Sequence, residues 1–133
     1  MYTDASAIGL GAVLTQEDSQ NRERVILYAS RGTVGAEKNY EATKLECLAA
    51  VWSVKMLRHY LIGRPFDLVT DHAALPWLFH TKDPKGIYAR WIMTLQEYQM
   101  KVRFRKGKKN QNTDTLSRIP RQENASPGEA ARN

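Results

Sequence analysis

The sequence predicts one mixed α/β (α+β) layer structure. Three observations carry that prediction: the chain length, the order of strand-like and helix-like segments, and a late stretch of strict two-residue alternation. The chain has 133 residues, 42% of them hydrophobic and 26% charged, which suits a single globular domain and excludes an intrinsically disordered chain. Three Trp, six Tyr and three Phe supply core bulk without a metal or disulfide staple. The segments follow in the order three strands, helix, strand, two helices, strand, helix.

Residues Met1 to Asp4 supply only the end of a first strand, which stops at Ala5-Ser6. Ile8 to Gln16 (IGLGAVLTQ) and Arg24 to Ser30 (RVILYAS) read as a hairpin pair joined by the polar connector Glu17 to Glu23. From Thr43 to Leu61 an apolar stripe of Leu45, Leu48, Trp52 and Met56 predicts the longest helix. Thr43 and Glu46 match a capping box at its start, and Gly63 and Pro65 end it. Phe66 to Asp71 reads as a strand, Ala73 to Phe79 as a short helix, and Tyr88 to Tyr98 as an amphipathic helix. Met100, Val102 and Phe104 then alternate with Lys101, Arg103 and Arg105, the period of a strand with one basic face. A last helix is expected over Asn112 to Arg118, followed by a tail without bulky apolar residues. Trp52, Trp77 and Trp91 all fall at helical core spacing and read as packing residues.

The formal charge of +6 is local. Lys101, Arg103, Arg105, Lys106, Lys108 and Lys109 are six basic residues in a stretch without an acid, and without them 14 bases balance 14 acids. Such a patch favours a polyanion, most often nucleic acid, although a solvated basic strand has the same composition. No apolar run reaches membrane-spanning length. The single cysteine, Cys47, excludes an internal disulfide and fits a reducing compartment.

Only six aspartates occur, and three follow threonine: Asp4, Asp71 and Asp114. Asp4 and Asp71 each end a predicted strand. If those strands are parallel neighbours, both carboxylates emerge at one sheet edge, where active sites of open α/β sheets lie. Carboxylates at ~4 Å repel by roughly 1 to 4 kcal/mol per pair, and a hard cation such as Mg²⁺ offsets that cost. Structural readings compete for each residue. Asp4 and Asp71 fit ordinary turn-initiating aspartates, Asp114 fits the dipole of the last helix, and spacing alone favours Glu46 as a helix cap.

The blocks TDASAIGLGAVLTQ, ILYASR, NYEATKLECLAAVWSVKMLRHYLIGRPFDLVTDHAALPWL, ARWIMTLQEY and GKKNQNTDTLSR, in this order, resemble the ribonuclease H domain of gypsy-type LTR retrotransposon polyproteins. In those polyproteins the domain follows the reverse transcriptase. The resemblance covers Thr3 to Pro120. It implies a ribonuclease H-like fold: a five-stranded mixed sheet with helices on both faces, the first and fourth strands parallel and adjacent. It assigns residues 1–120 to that domain, with a truncated first strand, and the composition of 121–133 predicts a disordered tail.

The family's acidic catalytic and metal-binding positions fall on Asp4, Glu46, Asp71 and Asp114, holding two Mg²⁺ ions for which Mn²⁺ can substitute. The implied activity is endonucleolytic cleavage of the RNA strand of RNA/DNA hybrids. The implied partners are the hybrid and the reverse transcriptase domain of the same polyprotein, with no membrane. The implied location is a cytoplasmic retroelement particle or the nucleus.

Ser6, Asn39, Tyr40 and the basic residues Lys101, Arg103, Arg105, Lys106, Lys108 and Lys109 are the expected nucleic-acid contacts. Two departures stand out. Gln111-Asn112-Thr113 replaces the usual small apolar residues before the last aspartate, and Lys106 to Thr113 lacks the histidine of cellular relatives, so no catalytic histidine is assigned. His72 reads as a bystander. The rival expectation is a non-catalytic nucleic-acid-binding or structural domain of a degenerate or domesticated retroelement.

Overall fold

The computed structural model describes residues 1–106. The expected last helix, Asp114, Lys108, Lys109 and the tail lie outside the described residues. Five strands form one sheet: β1 (Tyr2–Ala5), β2 (Gly9–Glu17), β3 (Glu23–Gly32), β4 (Phe66–Thr70) and β5 (Met100–Phe104). Their order is β3-β2-β1-β4-β5. β1 and β2 pair antiparallel, as do β2 and β3, whereas β1 with β4 and β4 with β5 are parallel. This is the mixed five-stranded sheet that the resemblance implied.

The β2–β3 hairpin turns around Asp18. Its Oδ1 accepts the backbone N–H groups of Gln20 (2.8 Å) and Arg22 (3.0 Å), an Asx-type closure of the loop. Asn21, in the same loop, takes a positive φ of 61°. This is one of the few side chains that adopts that conformation at modest cost.

Among the described residues, four α-helices follow the hairpin and a 3₁₀ turn at Gly35–Asn39: α1 (Ala42–Met56), α2 (Arg58–Leu61), α3 (Ala74–Phe79) and α4 (Ile87–Leu95). The long helix expected from Thr43 to Leu61 is thus two helices. Leu57 interrupts it at φ −103°, ψ 22°. The interruption leaves Leu57 and Leu61 both buried in the core. The helix expected from Tyr88 to Tyr98 stops at Leu95, and Tyr98 is buried beyond its end. There the Tyr98 hydroxyl donates to the Val54 carbonyl at 3.0 Å, tying α4's exit to α1.

The main core lies between the sheet and α1, α2, α3 and α4. It joins Leu10 and Leu14 of β2 and Leu68 of β4 to Leu48, Val51 and Val54 of α1, Leu75 of α3, and Trp91 and Leu95 of α4. Met100 and Val102 pack against it, as the alternation read in β5 predicts, but Phe104, expected on the same face, is 45% exposed at the end of the strand, where no core residue covers it. The opposite face carries a smaller cluster of Tyr2, Val13 and Val69. None of the described helices is long and apolar enough to cross a membrane.

Trp91 is a core residue and Trp52 is half-buried, but Trp77 is 71% exposed. Its packing assignment is therefore a correction. α3 has only six residues, and Leu75, Leu78 and Phe79 already supply its inward face.

Leu68, in the middle of β4, is fully buried. Leu68→Ala should cost about 2 to 5 kcal/mol of stability, whereas Ile8→Ala, at a residue 70% exposed, should change it by less than about 0.5 kcal/mol. Chemical denaturation of the two variants measures the contrast.

Candidate metal centre

Parallel pairing of β1 and β4 brings two chain-distant aspartates to one end of the sheet. Asp4 lies in β1, next to its last residue, and Asp71 follows the last residue of β4. The pairing of Tyr2 with Val69 aligns these ends. α1 lies against β1 and β2 and brings Glu46 from its second turn to the same edge. One carboxylate oxygen from each of Asp4, Glu46 and Asp71 lies within 4.8 Å of the others.

Burial sharpens the electrostatics. Asp4 and Glu46 are each only 6% exposed. Burial, then the charge of Asp4, then that of Asp71, push the Glu46 carboxyl up to about 8, against a weaker downward pull from a hydrogen bond with the Ala5 backbone. Glu46 Oε1 is buried and has no hydrogen-bond partner. An orphaned buried carboxylate oxygen facing two further carboxylates is costly without a ligand. Oxygen donors of this kind suit a hard divalent cation. The residues present therefore fit such an ion.

The capping box expected at Thr43 and Glu46 is not formed. Glu41 is the N-cap of α1, which places Thr43 inside the first turn. Glu46 instead faces the two aspartates. Thr43 Oγ1 lies 2.8 Å from His72 Nε2. The His72 backbone N–H also donates to Thr70 Oγ1 at 3.1 Å. Sequence reading missed this pair. The adjacency of His72 to Asp71 was its only signal.

The expected nucleic-acid contacts fall in several places. Ser6 follows the end of β1, and its Oγ lies 3.5 Å from the Gly9 carbonyl oxygen. Asn39 is exposed, whereas Tyr40 is half-buried, with Trp91 at 6.4 Å between ring centroids and the Lys44 ammonium 4.2 Å above its ring. Lys101 and Lys106 are exposed. Arg103 forms an ion pair with Asp67 at 2.8 Å, and Arg105 donates to the Tyr2 hydroxyl at 3.4 Å. Because β5 runs parallel to β4, its exit lies at the carboxylate end: the Arg105 N–H donates to the Thr70 carbonyl at 2.8 Å. A cleft of about 1110 Å³ runs from the other ends of these strands, around Met1, Glu17 and Asp67, to Arg103 and Arg105, and none of the three carboxylates lines it.

A mixed sheet in the order 3-2-1-4-5 with carboxylates gathered where its parallel strands end defines a ribonuclease H-like α/β domain. Residues 1–98 match the family described as the RNase H-like domain found in reverse transcriptase. The chain belongs to that family. It is 45% identical over 124 residues to the retrovirus-related Pol polyprotein from transposon 297 of Drosophila melanogaster, covering 93% of this chain and 11% of that one. It is 37% identical over 119 residues to the Pol polyprotein from transposon gypsy of the same organism, covering 89% of this chain and 11% of that one. The Transposon Tf2-3 polyprotein of Schizosaccharomyces pombe is 35% identical over 123 residues, covering 90% of this chain and 9% of that one. The chain thus spans about a tenth of the length of these relatives.

The raised Glu46 carboxyl has a pH consequence. Its value of about 8 in the folded chain exceeds the ordinary 4.5, so between those values the folded state binds the extra proton. Without added metal, stability should therefore fall as pH rises from about 4.5 to about 8. Glu46→Gln should flatten that slope, and thermal melts across the range in a chelating buffer measure it. A slope unchanged in Glu46→Gln would contradict the assignment.

Proposed function

We propose that this domain is a divalent-metal-dependent endonuclease that cleaves the RNA strand of RNA/DNA hybrids, as part of a retrotransposon reverse transcriptase polyprotein. The observation that carries this reading is the convergence of Asp4, Glu46 and Asp71 within 4.8 Å in a chain of the RNase H-like family. Asp114 is proposed as the fourth ligand, and Mg²⁺ as the ion, two per site, with Mn²⁺ as a substitute.

Divalent cations bound there supply acidification of a water for in-line attack on the scissile phosphorus and neutralisation of charge on the leaving 3′ oxygen. The side chains supply position. Asp4 and Asp71 are fixed by a strand and a strand end paired side by side, so their separation is set by sheet geometry. Glu46 is delivered by a helix and, once deprotonated, would hold the cation together with the two aspartates. No side chain at the site is a nucleophile, and no covalent intermediate forms. Catalysis rests on orientation and charge.

A polymeric substrate suits the placement. Asp71 is the partly exposed member of the three carboxylates, so a phosphodiester backbone would meet the centre from the end of β4. Ser6, Asn39 and Tyr40 flank the edge in this reading. Lys101, Arg103, Arg105 and Lys106, with Lys108 and Lys109, are proposed to contact backbone phosphates, which makes affinity salt-dependent. The hybrid and the adjoining reverse transcriptase domain are the proposed partners, and a cytoplasmic retroelement particle or the nucleus the proposed location.

Cleavage of an end-labelled RNA/DNA hybrid in Mg²⁺ tests the reading. Asp71→Asn and Glu46→Gln should each lower kcat by about 100-fold or more while leaving hybrid binding largely intact. Product at the wild-type rate from Asp71→Asn would overturn the metal assignment. Lys106→Ala should weaken hybrid binding and reduce the slope of log affinity against log salt by about 1, as read by fluorescence anisotropy across a salt series.

A further inference from the structure

Core packing holds α1 against the sheet as a whole, but its first turns, which carry Glu46 toward Asp71, need a local tie to the end of β4 before a cation arrives. We infer that the hydrogen bond between Thr43 and His72 is that device, making the two residues positioning residues for the carboxylate centre. The inference rests on the metal-dependent nuclease reading above.

Thr43 Oγ1 and His72 Nε2 lie 2.8 Å apart. Thr43 precedes Glu46 by three positions in α1, so the two occupy neighbouring positions on one helix face. His72 directly follows Asp71. The contact therefore closes a short ring that runs from Asp71 to His72, across to Thr43, and along one helical turn to Glu46. Movement of α1 that withdrew Glu46 from Asp71 would stretch this bond.

His72 is anchored on its own side as well. Its backbone N–H donates to Thr70 Oγ1 at 3.1 Å, and its carbonyl accepts the Leu75 N–H at 3.1 Å. The imidazole is thus a strut fixed to the exit of β4 and the entry of α3. The ordinary use of a threonine this early in a helix, the cap, is taken by position: Glu41 is the N-cap and α1 begins at Ala42. The Thr43 hydroxyl is left for the cross-link. A site held together in advance binds its ion without first drawing like charges together, and loss of the strut transfers that cost to ion binding.

The test uses Mn²⁺ as probe, titrated calorimetrically into the full chain, with hybrid cleavage measured in parallel. Thr43→Val removes the hydroxyl at nearly constant volume. It should weaken Mn²⁺ binding by about 3- to 10-fold, the usual worth of one hydrogen bond, and lower kcat with KM for the hybrid unchanged. Thr43→Ser should return both to within about 2-fold of wild type, since its hydroxyl replaces the lost partner. His72→Ala should reproduce the loss, and the double variant should lose no more than the worse single one, because both changes remove the same bond.

Wild-type Mn²⁺ affinity in both Thr43→Val and His72→Ala would overturn the inference, as would additive losses in the double variant. If Thr43→Val fails to fold, His72→Ala and Thr43→Ser decide alone. A wild-type chain that binds Mn²⁺ without cleaving hybrid removes the nuclease reading and leaves the clamp to the Mn²⁺ titrations. A wild-type chain that takes up no Mn²⁺ overturns both.

Discussion

The repulsion among Asp4, Glu46 and Asp71 is the constraint around which the rest of this domain is arranged. Two of the three are almost fully buried, so water screens them poorly, and Glu46 responds by holding its proton up to about 8. Carboxylates left to themselves would separate. They stay together because each sits on an element that cannot move independently. The β1–β4 pairing fixes the two aspartates, and the apolar face of α1, through Leu48, Val51 and Val54, is packed into the core with Leu10 and Leu68. The free energy of that core opposes the electrostatic cost at its rim.

The same sheet divides its labour between its two ends. At one end the strands of like direction, β1, β4 and β5, deliver acids and then a basic exit. From the other, around Met1, Glu17 and Asp67, a cleft runs along the sheet to Arg103 and Arg105. β5 is not simply a charged surface. Met100 and Val102 belong to the core, while Arg103 is paired with Asp67 and Arg105 with the Tyr2 hydroxyl. The pairings hold two arginines in defined directions; the Arg103–Asp67 pair is partly exposed to solvent, whereas Tyr2 is buried. An exposed ion pair of this kind contributes little to stability, so a polyanion can compete for the guanidinium without unfolding the strand.

Much of this was legible in the residues. Strand-like runs of Val, Ile and Leu located β2 and β3, and the alternation in β5 identified its basic face and the inward Met100 and Val102, but not the exposure of Phe104 at the strand's end. Helix ends were less legible, because a tertiary contact settles them: Tyr98 continues the apolar stripe of α4 but lies beyond its last turn, where its hydroxyl reaches Val54. Glu46 was ambiguous for a physical reason. A glutamate three positions after a threonine satisfies a capping box and a metal site equally well in one dimension, and only the approach of α1 to β1 distinguishes them. The Thr43–His72 bond was invisible because it joins residues 29 apart with no periodic signature. Trp77 misled because helical spacing says which residues share a face, and a helix of six residues buries too little to use all of them.

The decisive observable is where a divalent ion settles. Anomalous diffraction from crystals of the chain equilibrated with Mn²⁺ should place a peak between the side chains of Asp4, Glu46 and Asp71, within ordinary coordination distance of Glu46 Oε1. Well-occupied Mn²⁺ sites elsewhere, with none at this edge and the Glu46 carboxyl still protonated, would contradict it.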